Sequence, residues 1–408
     1  MSQKQNINLN NVIQPAFYKN FRCIGSKCPI NCCYGWGIIG WTENEYEKII
    51  NADMSDELRK KINIAFSQND INNRFYKRYQ YRIEYTAENK CPMLSSDNLC
   101  MIQRELGEEY LSATCRKYPR IGYACGNALI RTTNTSCVHV LNTLCNDENS
   151  MELEKRPIKS SDLKSVALCE LYTAEDMINH LILKQERFLF DFFCDLLCDK
   201  SRTFETSMTL AAMAAQKLDE FAVRKKQPEK IPEVINALKS QLENPAQIAK
   251  LEAVKPNNTL KANFSGGLIK LLKGSDIYSY VFENGKLNEE KWNRGLEKYN
   301  EFFADKPFAI RNIALNLYLS NHMPFRDKTL SIFDNFCWFA AEIAVIKFFM
   351  AVIPNLYDKK TNIEIPFEVA VSYIDRNFSH NSVNVGKILD YMKAFGANTP
   401  AMLLGIIK

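Results

Sequence analysis

The tightest constraint on this chain is the run from Cys23 to Cys33, which reads C-IGSK-C-PIN-C-C: four cysteines in eleven residues, the last two adjacent. Cysteines continue at Cys91, Cys100, Cys115, Cys125, Cys137 and Cys145, so ten of the chain's 14 lie in its first 145 residues. The polar N-terminus, MSQKQNINLNNVIQPAF, has no apolar core of a secretory signal, and a cytoplasmic location is expected. Disulfides are scarce there, so clustered thiols point to metal binding or catalysis. Thiolates favour zinc and iron–sulfur sites. The spacing is neither the C-x2-C pair of a zinc ribbon nor a familiar ferredoxin pattern. Eight candidate ligands exceed the four that one zinc or one 4Fe–4S cluster needs, which implies two centres or some structural thiols.

Length, at 408 residues, allows two or three domains. We expect a mainly α chain: a small cysteine-rich α+β metal-binding module over 1–150, then a helical domain over 151–408 with a linker near 226–232. Glycines at 25, 35, 37 and 40 supply turns, and Trp36, Ile38 and Trp41, alternating with small residues, suggest a short strand. Thr42 and Glu45 have capping-box spacing, so a helix is expected from 43 to 52. The aromatic–basic alternation of 74–85, RFYKRYQYRIEY, is read as a half-buried strand in preference to a nucleic-acid stacking face. Residues 101–112 have a helical pattern. A straight helix there spans about 18 Å and would keep Cys100 and Cys115 from one ion. Residues 127–140 read as a strand or hairpin around Cys137, and 146–162 as a polar connection. Thr173 and Asp176 open a helix running to about 199 that carries His180, Cys194 and Cys198, the two cysteines read as core thiols. A further helix is expected over 205–225, and Ser265-Gly266-Gly267 is read as a turn.

Charge excludes little but argues against polyanions: the formal net charge is +5, with Lys and Arg spread along the chain, so no nucleic-acid partner is expected. Phe336 to Ile353, FCWFAAEIAVIKFFMAVI, approaches the length of a membrane span. Glu342 and Lys347 inside it favour a buried core helix, and no membrane span is expected. No Gly-rich loop follows a strand, so no Rossmann-type cofactor site is expected.

The motifs F-x-C-IGSK-C-PIN-CC-x-GW, CPML, LC-x-IQ-x-ELGEEYLSATCRKYPR and a final Ser-Cys resemble, in this order, the flagellin lysine N-methylase family, a cysteine-rich family of CxxCxxCC type. The resemblance covers residues 17 to about 140. It continues more weakly through YLSNHMPF at 318–325 and DRNFSHN at 375–381. It implies methyl transfer from S-adenosylmethionine to ε-amino groups of flagellin lysines, with a 4Fe–4S cluster. It places the family's cysteine positions on Cys23, Cys28, Cys32, Cys33, Cys91, Cys100, Cys115 and Cys137. Where the family has Cys-Pro-Glu, this chain has Cys137-Val138-His139, which removes an acid and makes His139 an alternative ligand. Arg116, Tyr118 and Arg120 follow Cys115 and are candidates to tune a cluster or hold a cofactor carboxylate; packing of the turn is the plainer role. His322, Arg376 and His380 are read as packed or capping residues. No residue is singled out as catalytic base. Cys28-x3-Cys32 runs straight into Cys33, so radical and polar transfer stay open. Two other readings of the same thiols are a zinc-stabilised, non-enzymatic interaction module and a redox or metal-handling protein.

Overall fold

The computed structural model describes residues 9–29, 31–34, 37–71, 78–162, 185–221, 227–271, 275–327, 329–361 and 385–408. They form two compact units. The smaller is Asn20–Ile121 with Cys137–His139, and the larger comprises the described parts of Met1–Lys19, Gly122–Ser136 and Val140–Lys408.

The first strand, β1 (Asn11–Pro15), belongs to the larger unit. The smaller unit follows with β2 (Ile38–Trp41), α1 (Glu43–Ile50), α2 (Asp56–Ala65), β3 (Phe66–Gln68) and β4 (Tyr81–Glu84). Thr42 and Glu45 form the expected capping box at α1, and the Ser55 hydroxyl accepts the Leu58 N–H at the start of α2. The three strands form an antiparallel sheet in the order β2-β4-β3, with Ile39 opposite Ile83 and Trp41 opposite Tyr81. Ile39, Trp41, Ile49, Leu58, Ile62, Ile83, Met101 and Ile102 close the core of this unit. The tyrosine-rich stretch is thus a strand over Tyr81–Glu84, with Arg78–Gln80 and Tyr85 outside it; residues 72–77 lie outside the described residues.

The helix expected over 101–112 is shorter. α3 (Met101–Leu106) stops at Gly107, whose φ of +96° is closed to an ordinary right-handed turn. A 3-10 turn, Glu108–Tyr110, and α4 (Ala113–Lys117) then bend the chain back. The Ser112 hydroxyl caps α4 by accepting the Cys115 N–H at 3.2 Å.

Next come β5 (Arg120–Cys125), β6 (Ala128–Thr133), α5 (Val138–Asn146) and β7 (Leu153–Pro157), all in the larger unit apart from Arg120–Ile121 and Val138–His139. The sheet order is β5-β6-β1-β7, with β1 parallel to β6 and antiparallel to β7. Two expectations are corrected by these elements. Cys137 lies in the turn before α5, not in a strand, and the connection over 146–162 contains β7. Polar residues misled here because β7 is an edge strand, half of which faces solvent.

The helical remainder is α6 (Glu186–Cys198), α7 (Phe204–Asp219), α8 (Ile231–Leu242), α9 (Pro245–Glu252), α10 (Asn258–Leu271), α11 (Ser275–Val281), α12 (Glu289–Phe303), α13 (Ala309–Ser320), α14 (Ile332–Thr361), α15 (Val385–Phe395) and α16 (Pro400–Ile407). A two-stranded ribbon, β8 (Phe282–Glu283) with β9 (Lys286–Leu287), sits between α11 and α12. Fold class is as the sequence implied: mainly α, with a small α+β cysteine-rich module. Cys194 is buried in α6, as a core thiol is, while Cys198 one turn on is only half-buried. His180, Arg376, His380 and the DRNFSHN stretch lie outside the described residues.

The expected core helix is α14, which packs against α7, α10, α12 and α16. Among the described helices it alone is long and apolar enough to cross a membrane, over Ile332–Val352, yet 94% of an 18-residue apolar window within it is buried in the protein. A helix apolar on every side needs neighbours on every side, and these supply them. The two charges of Phe336 to Ile353 are paired, Glu342 with Arg326 at 2.7 Å and Lys347 with Glu205. Gly266 and Gly267 are not a turn but lie inside α10. A Cβ on Gly266 would lie 2.3 Å from the Phe282 ring, so the glycine serves close packing.

Candidate metal centre

All eight cysteines marked by the sequence fall in the smaller unit. Cys137 joins it through the short segment Cys137–His139, which leaves the rest of α5 in the larger unit. Cys125, Cys145, Cys194, Cys198 and Cys337 belong to the larger unit. Every described cysteine is a free thiol.

Backbone pairing brings the two ends of the motif together. The Cys91 N–H donates to the Cys33 carbonyl at 2.8 Å, and Tyr34 bridges Lys90. Asn31 locks the same junction: its Oδ1 accepts the Cys33 N–H and its Nδ2 donates to the Asn98 carbonyl, both at 2.8 Å. Cys100 is held by its bridge to Leu94, and the Met101 N–H donates to the Met93 carbonyl at 2.9 Å. Cys115 is brought in by the break at Gly107. Glu45 of the capping box also accepts the Ala113 N–H at 2.7 Å, which ties the start of α4 to α1.

Electrostatics show that Cys32, Cys33, Cys91, Cys100 and Cys115 share one neighbourhood. Hydrogen bonds to Cys32 and then Cys91 hold the proton on Cys33, whose thiol titrates far above the ordinary range. Cys91, accepting from Cys33, is shifted down. Burial and then the charge of Cys91 raise Cys100. Part of Cys115 reaches solvent, but desolvation of its thiol and the charges of Cys100, Cys91 and Cys32 raise it too. The bend at Gly107 therefore removes the obstacle that a straight helix posed to Cys100 and Cys115.

Tyr85 stands among these thiols. Burial first, then the charges of Cys91, Cys115, Cys33 and Cys32, push its phenol far above the usual tyrosine range. It therefore stays protonated and can only donate to a thiolate or sulfide nearby. Sequence reasoning passed over it because it closes the tyrosine-rich strand. Its place after β4, six residues before Cys91, was the available signal.

Of the other cysteine candidates, Cys28 and Cys137 are half-buried. Cys23 is exposed and accepts the Gly25 N–H at 3.4 Å. The Cys28 N–H donates to the Gly25 carbonyl at 3.0 Å. His139 sits with its ring 5.5 Å from that of Phe21, which places the Cys137–His139 segment beside the chain leading to Cys23. Burial lowers its pKa, favouring the neutral imidazole that a metal would require. Arg120 donates to the Phe21 carbonyl at 3.1 Å and covers its ring, and Arg116 lies 4.0 Å from Glu45. Tyr118 precedes Pro119 through a cis peptide. These contacts give Arg116 and Arg120 packing and positioning partners around the cysteines.

The larger unit contains a cavity of about 440 Å³ between α10, α12, α14 and α16. Lys261, Lys347 and Lys408 reach it, and Trp292 lines it, stacked on Phe348 at 5.2 Å. Desolvation, then Lys347, brings Lys261 down to about 8.

Comparison with known proteins assigns the relationship. Flagellar biosynthetic protein FliU of Salmonella muenchen is 29% identical over 145 residues, 36% of this chain and 83% of FliU. The lysine-N-methylases of Salmonella choleraesuis (strain SC-B67) and Salmonella typhimurium (strain LT2) are each 29% identical over 147 residues. Those matches cover 36% of this chain and 35% of each relative, about a third of their length. No solved structure matches the chain. Residues 190–406, more than half of the chain, match the family described as FliB lysine N-methylase C-terminal domain. By that match, and by its likeness to two named lysine-N-methylases, the chain belongs to the FliB lysine N-methylase family, a family of methyltransferases.

Proposed function

We propose that this protein methylates lysine ε-amino groups of flagellin in the cytoplasm, with S-adenosylmethionine as donor and a 4Fe–4S cluster held by cysteines of the smaller unit. The observation that carries this reading is the convergence of Cys32, Cys33, Cys91, Cys100 and Cys115 within one fold unit of a lysine N-methylase family member. A donor set made of thiols alone is soft, which suits iron–sulfur ligation. It supplies four ligands with one thiol to spare. When bound, such a cluster supplies iron as a redox and Lewis-acid centre.

The chain's own residues have definable tasks. Cys33 must give up the proton it shares with Cys91, since thiolates, not thiols, ligate metal. Tyr85 stays a hydrogen-bond donor beside the thiolates, an arrangement that tunes ligand charge. Asn31 and Glu45 fix the loops that carry Cys33 and Cys115. Arg116, Tyr118 and Arg120 offer cationic and phenolic groups on the segment leaving Cys115, suited to a donor carboxylate. Methyl transfer needs a neutral lysine amine aligned with the sulfonium carbon.

Anaerobically purified protein incubated with flagellin and isotope-labelled S-adenosylmethionine tests this, read by peptide mass spectrometry. Labelled methyl groups on flagellin lysines are expected. Absence of any lysine mass gain with iron-loaded protein would overturn the reading.

A further inference from the structure

The larger unit brings together a thiol, a carboxylate and an imidazole that the methylase reading does not use. Cys125 ends β5, Glu186 is the first residue of α6, and His322 lies in the turn after α13, within the YLSNHMPF stretch. One ligand atom from each lies within 4.8 Å of the other two. The Nε2 of His322 is 2.9 Å from the Oε1 of Glu186. The site is enclosed: Cys125 is fully buried and His322 is 8% exposed.

Each of the three segments is shaped for the meeting. Gly126, after Cys125, has φ +54°, and a Cβ there would stand 2.7 Å from the Cβ of Arg187. Only glycine lets this turn lie against the start of α6. The Gly126 N–H donates to Glu186 Oε2 at 3.2 Å, which fixes the carboxylate with Oε1 turned toward His322. His322 itself holds φ +53°, a left-handed backbone uncommon for a residue with a Cβ. Its N–H donates to the Leu319 carbonyl at 3.2 Å, and its carbonyl accepts the Phe325 N–H at 2.8 Å. Tyr123 covers the imidazole at 4.3 Å between ring centroids and is itself anchored by its hydroxyl to the Leu319 carbonyl at 2.7 Å.

One sulfur, one imidazole nitrogen and one carboxylate oxygen make a mixed donor set of zinc type, unlike the all-thiol set of the smaller unit. Bonds of 2.0–2.1 Å in a tetrahedron put neighbouring N and O ligands about 3.3 Å apart, so a small opening of the His322–Glu186 contact admits an ion. The three protein ligands leave a fourth position for water. Full burial of Cys125 argues against a nucleophile that must meet a substrate. We propose that Cys125, Glu186 and His322 bind a single divalent ion of zinc type that ties the β5–β6 turn and the His322 turn to the start of α6.

The test uses the full-length protein grown with zinc, measured by elemental analysis and by X-ray absorption at the zinc edge. The expected spectrum has one sulfur at about 2.3 Å and nitrogen or oxygen at about 2.0–2.1 Å, with close to one zinc per chain. Cys125→Ala and His322→Asn should each lose that zinc while iron per chain is unchanged; asparagine is chosen because it tolerates the left-handed backbone. A zinc-edge spectrum with four sulfurs would place the ion elsewhere and overturn the proposal. So would negligible zinc in the wild type, or unchanged zinc in either folded variant. The absorption spectrum needs no variant, so it decides the matter even if both substitutions unfold the chain.

Discussion

Arg326 and Glu342 offer a quantitative test of how α14 is accommodated. Arg326 Nη1 donates to Glu342 Oε2 at 2.7 Å, with side chains only 8% and 4% exposed. The guanidinium also lies 3.6 Å over the Trp338 ring, and the Asn321 amide donates to the same carboxylate oxygen at 3.3 Å. Replacing one partner leaves the other charge buried, which costs about 3–5 kcal/mol. That is a large fraction of the 5–15 kcal/mol by which a domain is stable. Replacing both charges with apolar residues of similar volume should recover most of the loss, since the desolvation of two ions disappears with their attraction. Arg326→Met and Glu342→Leu are therefore each expected to lower unfolding free energy by about 3–5 kcal/mol, and the double variant by less than either. Urea unfolding followed by far-ultraviolet circular dichroism measures all three. Single losses below about 1 kcal/mol would show a solvated pair. A double variant that loses the sum of the singles would refute the reasoning about buried charge.

Gly107→Ala places a side chain where φ is +96° and where a Cβ would meet Glu109 at 2.8 Å; a loss of about 1–3 kcal/mol is expected in urea unfolding, with iron uptake reduced because Cys100 and Cys115 separate. Ser112→Ala removes the cap of α4 and should cost about 1 kcal/mol, read the same way. Lys261 is held down to about 8 from 10.5 by desolvation and then Lys347, so the unfolded chain binds more protons between those values and stability should rise with pH through that window. Lys261→Met should abolish the rise, and an identical pH profile for urea midpoints of the two proteins would contradict it.

The local structure of the smaller unit was legible because it is short-range. A capping box at Thr42 and Glu45, a period-two strand ending in Glu84, and cysteines at fixed spacings are short-range patterns. The fate of the long apolar segment was legible too, since two charges inside it demanded partners. Pattern alone carried the helix after Cys100 too far, because Gly107 breaks an otherwise helical run. Cys137 was misassigned to a strand because the hairpin signal of β6 ends four residues before it. The Cys125–Glu186–His322 group was invisible for a deeper reason. Its members come from β5, α6 and the turn after α13, and no spacing rule connects such distant residues.

We propose that thiols of the smaller unit hold an iron–sulfur cluster on which lysine methylation depends. Iron and acid-labile sulfide per chain, measured alongside flagellin methylation in the wild type and in Cys91→Ser, test it most directly. The expected result is a brown wild type with close to four irons and four sulfides per chain, and loss of both colour and methyl transfer together in the folded variant. A colourless, zinc-containing wild type that methylates at full rate, or a Cys91→Ser protein that keeps its iron and its activity, would show that methylation needs no such cluster.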